Sequence, residues 1–455
     1  MVHWGRFDYT APTTMFTSCL PLLALCAAPA LPVPQDNTLV LLSDDLGVDI
    51  VTCYLEGPVV APTPNIDSLA REGVLFRNAW ANPVCSPTRA HLQTGRHAFR
   101  TGIGMVVTVN GWALPLSETT LPEALGLYAP SPVADAYFGK WHLGNASVGG
   151  TAAPNAAGWS HFAGTETNLK KPQTYFAWTH VENGMSTQAQ EYATTRTVDD
   201  FLEWRKTAPE PWVAIVAFHA PHDPVHAPPS HLHSFNLPNI EPRMRPRLFY
   251  RAMVEAMDTE IGRLLAEMGT QRANTNVIFM ADNGTPSSAS VPPFIPAHAK
   301  LTPYEGGVNV PLIISGPAVK GNAREVNSLV HSTDIFSTVL ELSGVDQDVL
   351  HSNETIDGIS LVPYLKDPKQ AGIRGHVFSE LFLPNGTWHN QETRVIRNKR
   401  YKLIRSGLQD PFVFELYDLS FDPFETNNLV GPGMSNSAKI ALRRLRAKLD
   451  LILAS

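Results

Sequence analysis

TLVLLSDD, residues 38–45, opens the pattern from which the architecture is read. Thr38 and four apolar residues run straight into Ser43, Asp44 and Asp45. WVAIVAF at 212–218 runs likewise into His219-Ala220-Pro221-His222, and VIFM at 277–280 into Ala281-Asp282-Asn283-Gly284. Short apolar runs rich in β-branched and aromatic residues read as buried strands. In an open parallel α/β sheet, functional groups gather beyond the carboxyl ends of the strands. The three polar clusters are therefore expected at one edge of one sheet.

Helices fit between these strands. Residues 250–268 place Met253, Met257, Ile261, Leu264, Leu265 and Met268 on one face, a 3.6-residue stripe that reads as core packing. Residues 65–71 read as a short helix ending before Gly73. The alternation continues to about Val345, which predicts one large α/β domain over 31–345. Beyond it the texture changes. RVIRNKRYKLI at 394–404 and FVFELYDL at 412–419 read as antiparallel strands. An amphipathic helix from about Ser437 carries Ile440, Leu442, Leu445, Leu449 and Ile452. A smaller α+β unit over 346–455 follows, and the Arg/Lys face of its helix reads as solvated surface.

Composition narrows the classes. Of 455 residues, 44% are hydrophobic, which excludes a wholly disordered chain. The 4 cysteines are too few for a disulfide scaffold. A net charge of -7 argues against broad binding of nucleic acid, while leaving room for a small cationic pocket. Residues 16–30, FTSCLPLLALCAAPA, are apolar, short for a membrane span, and end in the small-residue site Ala28-Pro29-Ala30. A signal peptide within 1–30 is expected, hence a secreted, periplasmic or luminal protein without a stable membrane anchor. Cys19 and Cys26 fall inside that leader, leaving Cys53 and Cys85.

Asp44, Asp45, Asp282 and Asn283 put four oxygen-bearing side chains at two strand ends. Clustered carboxylates repel and call for a divalent cation, and oxygen ligands select Ca²⁺ or Mg²⁺. Either pair alone would serve equally well as a turn cap. His219, His222 and His226 have a spacing that suggests zinc, but Pro221, Pro224 and Pro228 forbid the helix that would align them.

The deciding companion is CSPTRAHLQTG, residues 85–95. It resembles the type I sulfatases, whose C-x-P-x-R-x-x-L-x-T-G signature it meets at every fixed position. The resemblance continues through SDDLG at 43–47, PNID at 64–67, GKWHLG at 139–144, APH at 220–222, DNG at 282–284, Lys300 before EGG at 305–307, and LYDL at 416–419. It implies an alkaline-phosphatase-like fold, with a large mixed, mostly parallel sheet flanked by helices and a smaller C-terminal α+β domain.

The resemblance also implies a sulfuric ester hydrolase. Cys85 would be oxidised to Cα-formylglycine by a separate formylglycine-generating enzyme, and would join Asp44, Asp45, Asp282 and Asn283 around Ca²⁺ (or Mg²⁺). Hydrated formylglycine offers two hydroxyls, one to attack sulfur and one to expel sulfate, an exit that a plain serine lacks. Arg89, Lys140 and Lys300 would clamp the sulfuryl oxygens, with Lys140 orienting the diol. Asp282 would help deprotonate the attacking hydroxyl. His222, with Lys300, would protonate the leaving group, and His142 would take the proton that triggers elimination.

Related enzymes with the same nucleophile cleave phosphonate monoesters or phosphodiesters, which is the nearest rival reading. A non-catalytic binder of sulfated glycans is the other; the competent residue at every site position speaks against it. Asn309 stands where the family usually has Arg. The substrate, a sulfated small molecule or glycan, would be selected by loops near 105–114 and 168–184. There Trp112, Tyr175 and Trp178 offer either stacking faces or core packing.

Overall fold

A computed structural model describes residues 1–6, 8–10 and 35–455. The apolar stretch 16–30 of the expected leader lies outside the described residues. Among the described residues no helix is long and apolar enough to cross a membrane.

Ten strands form one mixed sheet. They are β1 (Asn37–Ser43), β2 (Val74–Trp80), β3 (Ala134–Lys140), β4 (Phe162–Thr165), β5 (Trp178–Glu182), β6 (Met185–Ala189), β7 (Trp212–Ala217), β8 (Thr275–Ala281), β9 (Leu312–Ser315) and β10 (Arg324–His331). Their order is β10-β2-β9-β8-β1-β7-β3-β4-β5-β6. The strand that opens the pattern, β1, lies between β7 and β8 and is parallel to both. Every residue of β1, β7 and β8 is buried, as expected of strands covered on both faces. Their polar carboxyl ends therefore share one edge. The sheet is mixed because β9 runs antiparallel to β2 and β8, and β5 to β4 and β6.

The helices match their sequence signals. Pro64–Glu72 carries its proline in the first turn and stops at Gly73. In Pro246–Glu267, Met253, Met257, Ile261 and Leu264 are fully buried against one face of the sheet. Each such side chain contributes about 2 kcal/mol of burial.

The second sheet is antiparallel: β11 (Val377–Leu383), β12 (Gln391–Arg397), β13 (Tyr401–Ser406) and β14 (Val413–Asp418). Residues 394–404 thus belong to two strands of a hairpin. Asn398 makes the turn, its Oδ1 accepting from the amides of Arg400 and Tyr401 at 2.9 and 2.7 Å. The final helix, Asn436–Ala454, is capped by Ser435, whose Oγ accepts from the Ala438 amide at 3.2 Å. It buries Ala438, Ala441, Leu445 and Leu449 against Phe378, Ile396, Leu403 and Leu416. Ile440, expected on that inner face, is 42% exposed; two alanines take the close approach instead.

Between the two sheets lies a cluster of imidazoles. The His91, His97 and His331 rings lie 5.1–6.0 Å apart, and Phe378 packs on His97. Burial pushes His97 down to about 4 and His91 and His331 well below their ordinary value. Nearby Asp357 opposes the shift for His97, and Arg374 and Arg100 reinforce it. In the unfolded chain these groups titrate near 6.5. Below that pH the unfolded state takes up protons that the folded state refuses, so stability falls as pH drops from about 6.5 toward 4. His97 alone accounts for about 3 kcal/mol across that window. Denaturant unfolding at pH 7.5, 6.5 and 5.5 checks this, and equal stability at 6.5 and 5.5 would contradict it.

Candidate active site

The three strand ends meet as their order requires. Beyond β1, the Asp44 amide donates to the Ala220 carbonyl at 3.1 Å, and the Asp282 amide to that of Ser43 at 3.1 Å. The Asp45 amide donates to Asp282 Oδ1 at 3.1 Å. Asp45 takes a left-handed backbone, φ 68°, uncommon for a residue other than glycine and enriched at functional sites.

Cys85 is the first residue of the buried helix Cys85–Thr94, so its side chain stands at the positive end of the helix dipole. One turn on, Arg89 is 1% exposed and donates from Nε and Nη2 to Asp282 Oδ2 at 3.1 and 2.8 Å. Its Nη2 is also 3.7 Å from Asp44 Oδ2. Lys140, fully buried at the end of β3, pairs with Asp44, and Lys300 pairs with Asp45. Gly139 precedes Lys140 at φ 86°, where an added Cβ would lie 2.0 Å from the Ala217 carbonyl; only glycine lets β3 approach β7 so closely here.

His142, at φ 59°, places Nδ1 3.2 Å from Cys85 Sγ. Its backbone is fastened at both ends: its amide donates to Glu166 O at 2.9 Å, and its carbonyl accepts from Ser86 Oγ at 2.8 Å. His222 Nε2 lies 3.8 Å from Asp45 Oδ2, and Asn283 Nδ2 donates to Asp45 Oδ1 at 2.9 Å. All ten predicted residues thus meet in one place. His219 and His226 do not join them: His219 turns to Thr165 Oγ1 at 2.7 Å and His226 to the Tyr192 hydroxyl at 3.1 Å.

Among the described residues, Asp44, Cys85 and Asp282 present ligand atoms within 4.8 Å of one another, as do Asp44, Asp45 and His222. Asp44 Oδ1 and Asn283 Oδ1 are buried without a hydrogen-bond partner. Orphaned buried oxygens beside a carboxylate cluster fit a hard cation. The three carboxylates are matched by Arg89, Lys140 and Lys300, so a divalent ion would leave a cationic excess suited to an anionic ester.

The electrostatics separate the two inner carboxylates. Burial opposes ionisation of Asp44, but Lys140, then His222, Arg89 and Lys300, hold it well below its usual range. Asp282 is pushed up to about 7 by burial and then by the charge on Asp44. Burial raises the Cys85 thiol, with Lys140 and Lys300 opposing and Asp44 and Asp282 reinforcing. Burial, then Lys140 and Arg89, hold His142 well below the usual imidazole range.

Some residues support the site in ways the sequence did not indicate. Tyr175 is buried and donates from its hydroxyl to the His219 and His222 carbonyls at 2.7 and 2.8 Å. Ser86 Oγ also accepts from the Val107 amide at 3.0 Å. Asn145 Nδ2 donates to the Thr108 and Gly111 carbonyls at 2.9 and 2.8 Å, and Asn385 Oδ1 accepts from the Met105 amide at 2.7 Å. Both asparagines begin N-x-S/T triplets, yet their amides pin the loop that runs past Cys85. Trp178 is buried packing, whereas Trp112 is 43% exposed. Asn309 bridges to Trp80 in β2, its Nδ2 donating to the Arg77 carbonyl at 3.4 Å.

A sulfatase family model matches residues 36–345, and one for the C-terminal region of N-sulphoglucosamine sulphohydrolase matches 298–451. An ulvan-active sulfatase of Formosa agariphila is 29% identical over 81% of this chain and 72% of its own length. N-acetylgalactosamine-6-sulfatase of Canis lupus familiaris is 31% identical over 78% of this chain and 71% of its own. In fold, Ps i-CgsB in complex with k-i-k-neocarrahexaose superposes with TM-score 0.73 at 22% identity, covering 91% of this chain and 92% of that one. A protein solved with its substrate D-glucosamine-2-N,6-O-disulfate gives 0.70 at 20% identity, covering 91% and 97%. Matched over well more than half its length and carrying this site, the chain belongs to the sulfatase family and is a sulfuric ester hydrolase.

Proposed function

We propose that the chain hydrolyses sulfate esters with a formylglycine made from Cys85 and a divalent cation, Ca²⁺ or Mg²⁺. The observation that carries this is the buried meeting of Cys85 with three carboxylates and three cationic side chains. The thiol supports it too: buried and shifted upward, it is a poor nucleophile as it stands.

Asp44, Asp45, Asp282, Asn283 and residue 85 would hold the cation, which supplies Lewis-acid polarisation of a sulfuryl oxygen. A hydrated formylglycine supplies geminal hydroxyls, one for attack and one for expelling sulfate. The chain's own groups do the rest. Lys140 and Lys300 neutralise sulfuryl oxygens, and Arg89 holds Asp282 in register with them. Asp282 draws the proton from the attacking hydroxyl. His222 delivers a proton to the departing oxygen. Neutral His142, with Nδ1 beside the side chain of residue 85, accepts the proton whose removal frees sulfate.

The substrate is a sulfated small molecule or glycan. The Cys85 conversion requires a formylglycine-generating enzyme as partner. Export to a secreted, periplasmic or luminal compartment rests on the leader within 1–30. Residues 31–345 form the catalytic domain and 346–455 the smaller unit.

One aryl leaving group presented as sulfate, phosphonate monoester and phosphodiester tests the reaction class. The sulfate is expected to be preferred by several orders of magnitude in kcat/KM, and a comparable preference for either phosphorus ester would overturn it. Removing divalent cations with EDTA is expected to lower Tm by several degrees, and added Ca²⁺ or Mg²⁺ to restore it. An ion at about a thousand times its Kd stabilises by ~4 kcal/mol. A Tm indifferent to both treatments would contradict the cation site.

A further inference from the structure

A cleft of about 770 Å³ opens beside the site, with His222 in its wall. Pockets of about 300–1,000 Å³ bury most of a drug-sized ligand, so this one has room for far more than a single ring. A simple aryl alcohol would leave most of it empty.

The direction of the reaction decides what enters. His222 protonates the departing oxygen, so the remainder of the alcohol must lie on the His222 side of the sulfur. That side is the cleft. Its wall carries open ring faces: Phe176 is 40% exposed and lies 5.6 Å from the half-buried His226 ring, which buried Tyr175 backs at 4.1 Å. Such faces suit the C–H surfaces of sugar rings. Its rim is cationic. Lys170 and Lys171 are exposed and make no ion pair among the described residues, and Arg243 makes only a loose, exposed one with Glu241 at 3.8 Å. Asp223 and Glu241 are the acidic groups on the same walls. Asp223 follows His222 in the chain, and no ion pair joins it to either lysine among the described residues.

We infer that this cleft is a subsite for the leaving-group portion of an extended anionic glycan, whose next sulfate or carboxylate seats on Lys170, Lys171 and Arg243. The inference rests on the sulfatase reading and on the role given to His222. It makes the enzyme selective for esters within a polyanionic oligosaccharide over isolated aryl sulfates. The attraction is exposed, so it weakens as salt rises.

The test uses the mature enzyme turning over p-nitrophenyl sulfate, with dextran oligosaccharides of matched length as competitors: sulfated, carboxymethylated and neutral. Calorimetric titration of the same oligosaccharides into Cys85→Ala protein reads binding without turnover. At least one anionic series is expected to bind about tenfold more tightly than the neutral one, and which one does so separates sulfate from carboxylate. In the Lys170→Ala/Lys171→Ala/Arg243→Ala variant, Ki relative to that variant's own KM for the aryl sulfate is expected to rise about tenfold, the scale for three rim charges. Equal binding of neutral and anionic oligosaccharides, or an unchanged ratio in the variant, would overturn the subsite. Failure of the wild type to release sulfate from both p-nitrophenyl sulfate and the sulfated oligosaccharides, while still binding anionic oligosaccharides through these residues, would instead sink the sulfatase reading and leave the subsite standing.

Discussion

Cys85→Ala is expected to lose activity on the order of 10⁴-fold or more, the scale seen when an enzyme loses its nucleophile. The loss should fall on kcat, because the groups that bind the anion, Lys140 and Lys300, are untouched. The change removes one buried atom whose side-chain neighbour is His142 Nδ1 at 3.2 Å, so Tm should move by only a few degrees. Steady-state kinetics beside a melting curve read both. Residual activity within tenfold of wild type would show that residue 85 is not the reacting group.

Lys402→Ala is expected to cost about 3–5 kcal/mol of stability, the penalty for stranding a buried charge. Lys402 on β13 is fully buried. Its Nζ lies 3.2 Å from Glu305 Oε1, 2.6 Å from Glu425 Oε1 and 4.8 Å from the Trp80 ring centre. Arg397 supplies the second cation, at 3.0 Å from Glu305 Oε2. Without Lys402 two carboxylates face each other in the interior. Glu425, already pushed up to about 7 by burial and, among its neighbours, by Glu305, would take up a proton and limit the damage. Because Glu305 begins the turn that follows Lys300, activity should fall with stability. Guanidinium unfolding of the variant reads the first effect; a loss under about 1 kcal/mol would mean that the network is not a buried charge cluster in solution.

This network also shows where the sequence stops informing. Arg397 and Lys402 sit in a run that reads as a charged, half-exposed strand pair. Their burial comes from Glu305, about a hundred positions away, and no local pattern announces such a partner. Ile440 fails for a similar reason: periodicity locates the apolar face of a helix, but the distance of approach to β12 and β13 selects alanines for the closest contacts. Asn145 and Asn385 each begin an N-x-S/T triplet, and the structure makes them loop pins. By contrast β1, β7 and β8 are announced by their own composition, because strands buried on both faces need apolar residues throughout. The site residues were readable for another reason: the chemistry fixes residue types at strand ends and at a helix start, and the motifs record those types in order.

The most direct measurement is a peptide mass spectrum across residues 85–95, taken on protein co-expressed with a formylglycine-generating enzyme and paired with its specific activity. An aldehyde at position 85, trapped as a hydrazone and rising in step with activity across preparations, is the predicted result. A preparation that keeps the intact thiol and still releases sulfate at full rate would contradict it.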